Sequence, residues 1–196
     1  MSLEPVASNQ EVAASRILAR WWRRARVQLL VDAFPDEFLE HLLARIDLLP
    51  SSKASKNMYA TRYFLTDEDL AAQIFSFIPH STRRKLKLSG CCSDLRFIHY
   101  PLGGFIAPHT DGVRVDSGTG RETRVSFLLY LATVPEGEGG ETTFLDRLPE
   151  HSDNEPRPLQ RLRPVRGCMA LFPHSAPHQG EAVGAYPKVL LRGDLF

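Results

Sequence analysis

His109 and Asp111 stand two apart, and a second imidazole, His178, follows 69 positions after the first (178 minus 109). On a strand, residues i and i+2 leave the same face, so an imidazole and a carboxylate can converge on one point. A histidine brought in by a distant strand completes a face of two histidines and one carboxylate on a metal ion. Three ligands on one side leave the opposite positions open, the arrangement non-haem Fe(II) uses to hold a co-substrate and O2 together. His-x-Asp alone recurs by chance and needs context. Here the context is Gly139-Gly140-Glu141-Thr142-Thr143-Phe144 downstream of the pair, and Lys188 on the C-terminal side of His178. The remaining histidines are set apart by their surroundings. His41 lies on the surface of an amphipathic helix, His80 and His151 fall in polar connectors, and His99 faces away from Tyr100 on its strand. His174, close before His178, is the serious rival as the distal ligand.

Strands must deliver these side chains, and the C-terminal half reads as strands. Short β runs are expected at 95–100, 104–109, 124–133, 141–145, 162–164, 168–172, 179–183 and 189–196, divided by Gly, Pro and Asp clusters such as Pro101-Leu102-Gly103-Gly104. About eight short strands with turn signals point to a sandwich or barrel rather than βαβ units. Ahead of them, 11–26 has helix-forming composition with a basic face, 27–31 reads as a strand, and 37–49 as a helix with Phe38, Leu42, Leu43 and Ile46 on one side. The stretch 53–62 is polar and irregular, 67–77 is a short helix ended by Pro79, and 80–90 reads as a solvated basic linker. Two polar segments are too long for hairpin turns. The first, 112–122, follows Asp111 directly and is expected to be a mobile lid; the second, 147–161, is expected to be disordered.

At 196 residues, with 43% apolar and 24% charged content, the chain is expected to form one globular domain with a real core. A net charge of +1 gives no general attraction to nucleic acid or membrane. There is no apolar run long enough for a transmembrane helix, and residues 1–10 have no signal-peptide character, so an intracellular (cytoplasmic or nuclear) location is expected. Three cysteines, Cys91, Cys92 and Cys168, do not make a disulfide framework.

Taken in order, Tyr-x8-His-x-Asp, Tyr-Leu, Gly-Gly-Glu-Thr-x-Phe and His-x9-Lys resemble the 2-oxoglutarate/Fe(II) dioxygenases, specifically the prolyl 4-hydroxylase-like branch, over Leu95 to Phe196. The resemblance implies a mainly β chain with flanking N-terminal helices (α+β), whose core is a double-stranded β-helix, a jelly-roll barrel. Residues 1–94 would supply helices and a connector packed on the 95–196 core within one structural domain. Fe(II), 2-oxoglutarate as co-substrate and O2 are implied, with ascorbate as an accompanying reductant, and His109, Asp111 and His178 as the metal ligands. The family places its anchoring lysine ten residues after the distal histidine (188 minus 178), which selects His178 over His174.

The far carboxylate of 2-oxoglutarate must be held in an apolar barrel, where an unpaired charge costs several kcal/mol. In the family a Lys or Arg with Tyr and Thr hydroxyls does this. Lys188 matches the lysine and Tyr100 a tyrosine; Ser126 falls where the family commonly has Thr, with Tyr130 on the same face of that strand. Arg192 shares the face of Lys188 but lies about 13 Å along the strand, and is expected at the surface or on the substrate side. A peptide or protein substrate follows, hydroxylated at a prolyl or other residue with release of succinate and CO2, with no nucleic acid and no membrane. Two other readings stand beside it. One is a catalytically silent metal-binding barrel acting as an interaction module. The other is an oxygenase acting on alkylated nucleic acid, suggested by the basic runs 20–26 and 83–87 and disfavoured by near neutrality and a Lys rather than Arg anchor. Ile106, Ala132 and Asp194 depart from collagen-type enzymes around the pocket mouth, which weakens any claim for a collagen-like proline.

Overall fold

A computed structural model describes residues 18–22, 25–52, 57–149 and 155–196. Two antiparallel sheets face each other. The larger runs β1 (Leu18–Trp22), β2 (Val27–Val31), β11 (Met169–Pro173), β8 (Val125–Tyr130), β13 (Lys188–Leu195), β6 (Asp94–Tyr100), β5 (Thr61–Thr66) and β3 (Ser51–Ser52). The smaller runs β10 (Pro158–Leu162), β9 (Thr142–Leu145), β12 (His178–Gly180), β7 (Phe105–His109) and β4 (Met58–Tyr59). This is the expected mainly β jelly-roll architecture.

Strand alternation divides the apolar residues between two cores. On β8, Phe127 and Leu129 face outward into a cluster with the helices, while Leu128 and Tyr130 face inward between the sheets. The outer cluster is closed by α1 (Asp36–Arg45), which buries Phe38, Leu39 and Leu42, and by α2 (Glu68–Phe77), which buries Leu70, Ala71 and Ile74. Asp67 caps α2 by accepting a hydrogen bond from the Leu70 backbone N–H at 2.8 Å. Gly193 on β13 has no room for a side chain, because a Cβ there would lie 2.4 Å from the Phe127 ring.

Several local expectations are corrected. Leu18–Trp22, expected within a helix, is a strand paired with β2; 11–17 and 23–24 lie outside the described residues. The exposed backbone edge of β2 outweighs the weak helical preference of a short basic segment, and two tryptophans suit a strand. The stretch expected to be irregular contains β4 and the start of β5, and the expected basic linker is a helix, α3 (His80–Leu86). Thr82 is buried and accepts a 2.8 Å bond from Gln28 of β2, while Arg83, Arg84 and Lys85 occupy the last turn, where the helix dipole favours cations. Within 147–161, residues 158–161 belong to β10, and 150–154 lie outside the described residues.

The expected lid, 112–122, is a closed turn tied to the body. Val115 bridges Glu122, and the Asp116 carboxylate accepts bonds from the backbone N–H groups of Ser93 (3.1 Å) and Thr119 (2.9 Å). None of its residues lines the cavity described next. No helix among the described residues is long and apolar enough to cross a membrane.

Candidate active site

The register of β12 on β7 sets His178 opposite His109 and brings the two rings to a centroid separation of 4.2 Å. Each ring places Nδ1 2.9 Å from the carbonyl oxygen two residues earlier, Ala107 for His109 and Ala176 for His178. A proton on each Nδ1 satisfies both carbonyls and leaves the Nε2 lone pairs free for a ligand. Burial, reinforced by the neighbouring His109 imidazole, pushes the His178 pKa down to about 4, so the ring is neutral at physiological pH. Asp111 follows β7, fixed by its backbone N–H donating to the His174 carbonyl at 2.9 Å. Ligand atoms of His109, Asp111 and His178 all lie within 4.8 Å of one another, the single such group of three or more among the described residues. Two neutral imidazole nitrogens and a carboxylate oxygen on one side fit a divalent non-haem metal.

The carboxylate of Asp111 is held at both oxygens. Oδ2 accepts from the Ser126 hydroxyl, and Oδ1 pairs with Arg192 at 2.9 Å. Burial alone would raise its pKa; Arg192, His178, Ser126 and His109 reverse this, and the carboxyl lies below its ordinary value. Behind Ser126 stands His174, with Nδ1 2.8 Å from Ser126 Oγ and Nε2 2.9 Å from Thr123 Oγ1. One proton order satisfies the whole row: Arg114 N–H to Thr123, Thr123 O–H to His174, His174 Nδ1–H to Ser126, and Ser126 O–H to Asp111. His174 is thereby engaged at both nitrogens and lies outside the group of His109, Asp111 and His178.

Lys188 is buried at the other end of the same cavity. Its ammonium donates to Thr142 Oγ1 at 3.2 Å and lies 5.2 Å and 5.8 Å from the ring centroids of Tyr100 and Tyr130. Burial pushes its pKa down to about 7, with Glu141 and Glu181 opposing the shift. Burial likewise raises the phenols of Tyr100 and Tyr130. The Tyr130 hydroxyl donates to Thr142 at 2.9 Å. The walls between the triad and Lys188 are Met58, Ile98, Ile106, Leu128 and Leu190, with Tyr100 beside the lysine.

Two site expectations are corrected. Ser126 is not beside Lys188; the hydroxyl there belongs to Thr142, and Ser126 serves Asp111. Thr142 stands inside the Gly-Gly-Glu-Thr-x-Phe run, so the sequence held the signal: Gly139 and Gly140, at φ +74° and +73°, let the chain turn into β9 with Thr142 directed inward. Arg192, expected at the surface or on the substrate side, is not at the surface: it is buried, lines the cavity and pairs with both Asp111 and Asp194. The three cysteines form no disulfide among the described residues, and Cys92 and Cys168 are buried.

A jelly-roll barrel with a metal-capable triad and a buried cation in one cavity defines a class, the metal-dependent oxygenase barrels. The sequence profile of the 2OG-Fe(II) oxygenase superfamily matches residues 95–193. The chain belongs to that superfamily and is a 2-oxoglutarate- and iron(II)-dependent oxygenase. No curated protein sequence matches it. Among solved structures, a Pseudomonas putida prolyl-4-hydroxylase is similar with a TM-score of 0.63 at 20% identity, covering 87% of this chain and 91% of that one. The viral collagen prolyl hydroxylase of Paramecium Bursaria Chlorella virus-1, in its 2-oxoglutarate complex, gives 0.58 at 16% identity over 87% of this chain and 95% of that one. HygX from Streptomyces hygroscopicus, with nickel, 2-oxoglutarate and hygromycin B bound, gives 0.58 at 11% identity, covering 89% of this chain and 84% of that one. At these identities the likeness is one of fold.

Proposed function

We propose that the chain hydroxylates a C–H bond of a prolyl, or other, residue of a peptide or protein, with His109, Asp111 and His178 as the iron ligands and Lys188 as the co-substrate anchor. The observation that carries this reading is a single cavity with the triad at one end and a buried lysine at the other, joined by an apolar wall. Per turnover, substrate C–H, 2-oxoglutarate and O2 become C–OH, succinate and CO2. Bound iron(II) supplies the redox chemistry that couples decarboxylation to C–H oxidation. The chain's own residues supply position and dryness. Lys188 would neutralise the far carboxylate of 2-oxoglutarate, with Thr142 and Tyr100 beside it. The aliphatic walls keep bulk water from the reacting atoms, and Ser126 and His174 fix the rotation of Asp111. A peptide substrate is supported by the likeness in fold to prolyl hydroxylases. Ile106 lines the cavity itself, so the pocket differs here from a collagen-type enzyme.

The test is incubation with Fe(II), 2-oxoglutarate and a panel of proline-containing peptides, reading succinate and a mass gain of one oxygen atom. Succinate release coupled to a peptide mass shift is the expected result. Succinate release with no peptide modified would overturn the peptide reading, and no 2-oxoglutarate consumption under any condition would favour a silent barrel.

A further inference from the structure

The inner face of the large sheet carries three arginines besides Lys188, more positive charge than Asp111 and Asp194 offset. Arg192 of β13 pairs directly with Arg96 of β6, and Arg62 of β5 pairs with Ile98, on the same face and diagonal to Arg96. All three line the cavity. Like charges opposite one another across antiparallel strands repel, and more so when partly withdrawn from water.

The anions that answer them are few. Asp194 is fully buried and is shared by Arg192 (3.1 Å), Arg96 (3.7 Å) and Arg114 (3.5 Å). Arg192 leans on Asp111 as well. Arg62 has no ion pair or hydrogen bond among the described residues, and the Nε groups of Arg62 and Arg96 are buried with no acceptor. When Asp111 serves a metal, its charge is turned to that metal. Three guanidiniums then face one carboxylate that Arg114 already shares. A structural ion cluster explains Arg192 with Asp194. It does not explain Arg62, nor two buried donors left empty.

Resting on the oxygenase reading above, we propose that Arg62, Arg96 and Arg192 form an anion-binding subsite in the cavity, and that the substrate carries a carboxylate or phosphoryl group close to the C–H bond that is oxidised. The subsite is set apart from the 2-oxoglutarate anchor by the partners of the two cations: Lys188 is turned to Thr142, and Arg192, whose backbone lies about 13 Å along β13, to Asp111 and Asp194. Met58, Ile106 and Leu128 share the cavity, so the anionic group is borne on an otherwise apolar portion of the substrate.

Inorganic phosphate and acetate, titrated calorimetrically into the protein loaded with Zn(II) and 2-oxoglutarate, test this without turnover. Saturable binding of one probe is expected, weakened about 10-fold or more in Arg62→Gln and largely restored in Arg62→Lys. Tighter phosphate points to a phosphorylated substrate, and tighter acetate to a carboxylic acid. Arg62 is half-buried, and a circular dichroism melt of each variant establishes that it is folded. No saturable binding of either probe, or binding undiminished in Arg62→Gln as for an anion held by the metal alone, overturns the proposal. A wild-type chain that binds neither Zn(II) nor 2-oxoglutarate would sink the oxygenase reading instead, and the same titrations on that sample would still report on the arginines.

Discussion

With Lys188 as the proposed co-substrate anchor, its depressed pKa should make 2-oxoglutarate affinity depend on pH. In the empty cavity burial holds this amine at about 7, against an ordinary value of 10.5. An incoming carboxylate favours the charged form, so binding lifts the pKa and takes up a proton. Over the window between the two values, affinity therefore falls as pH rises. At pH 6.5 most of the empty protein carries the ammonium; at pH 8.5 only a few per cent does. The expected loss of affinity between the two is roughly 20- to 30-fold, with uptake of close to one proton at the higher pH. His178, at about 4, is already neutral throughout this range and adds no slope.

The measurement is calorimetric titration of 2-oxoglutarate into Mn(II)-loaded protein, in buffers of different ionisation enthalpy. Lys188→Met is the control: its affinity at pH 6.5 should be about 10- to 100-fold weaker than wild type, and its pH slope should vanish. The empty protein gives the linked result. The unfolded chain holds the lysine's proton between about pH 7 and 10.5 where the folded chain does not, so folding stability should rise with pH across that window in wild type and not in Lys188→Met. A wild-type affinity that is flat from pH 6.5 to 8.5, or an equal slope in Lys188→Met, would refute the reasoning.

Three further outcomes follow from the same geometry. Asp111→Ala should abolish binding of Mn(II) by metal titration while the far-ultraviolet circular dichroism stays native, because the residue lies beyond the end of β7 and outside both apolar clusters. Ser126→Ala should weaken metal binding about 10- to 100-fold in a competition with a chelator and leave 2-oxoglutarate affinity at saturating metal nearly unchanged, since the hydroxyl serves Asp111. Thr142→Val should do the reverse, raising the KM for 2-oxoglutarate and costing about 1–3 kcal/mol of stability by denaturant titration, because Lys188 and Tyr130 both lose a buried partner.

The contrast between Ser126 and Thr142 shows what a single sequence can and cannot fix. Alternation along β8 correctly places Ser126 and Tyr130 on the inner face. It says nothing about depth, which depends on the register between strands far apart in the chain. The β13–β8 register puts Ser126 opposite Asp194 and Tyr130 opposite Leu190, whereas Lys188 is level with Tyr100 of β6. Ser126 therefore stands at the triad end and Tyr130 near the lysine. His109, Asp111, His178 and Lys188 were legible because short motifs fix their spacing within one strand or across one turn. The two-residue strands β3 and β4 carry no periodicity to read, and α3, with a single buried side chain, carries no apolar stripe.

One strand sets the scale of the whole cavity. Lys188, Leu190, Arg192 and Asp194 alternate inward along β13, from the buried anchor past the aliphatic wall to the charged end. A five-carbon diacid has four C–C bonds of about 1.5 Å and cannot span more than about 6 Å. With one carboxylate on Lys188, its other end reaches toward the triad, where the Arg192 guanidinium already lies 2.9 Å from Asp111. Moving the anchor toward Arg192 would keep the charge but shift the ketone end of 2-oxoglutarate past the triad. In the proposed arrangement, Lys188 and Leu190 of β13 line the portion of the cavity that the co-substrate would fill. A substrate C–H bond would then lie in what remains of the cavity beside the triad, lined by Met58, Ile106 and the arginines.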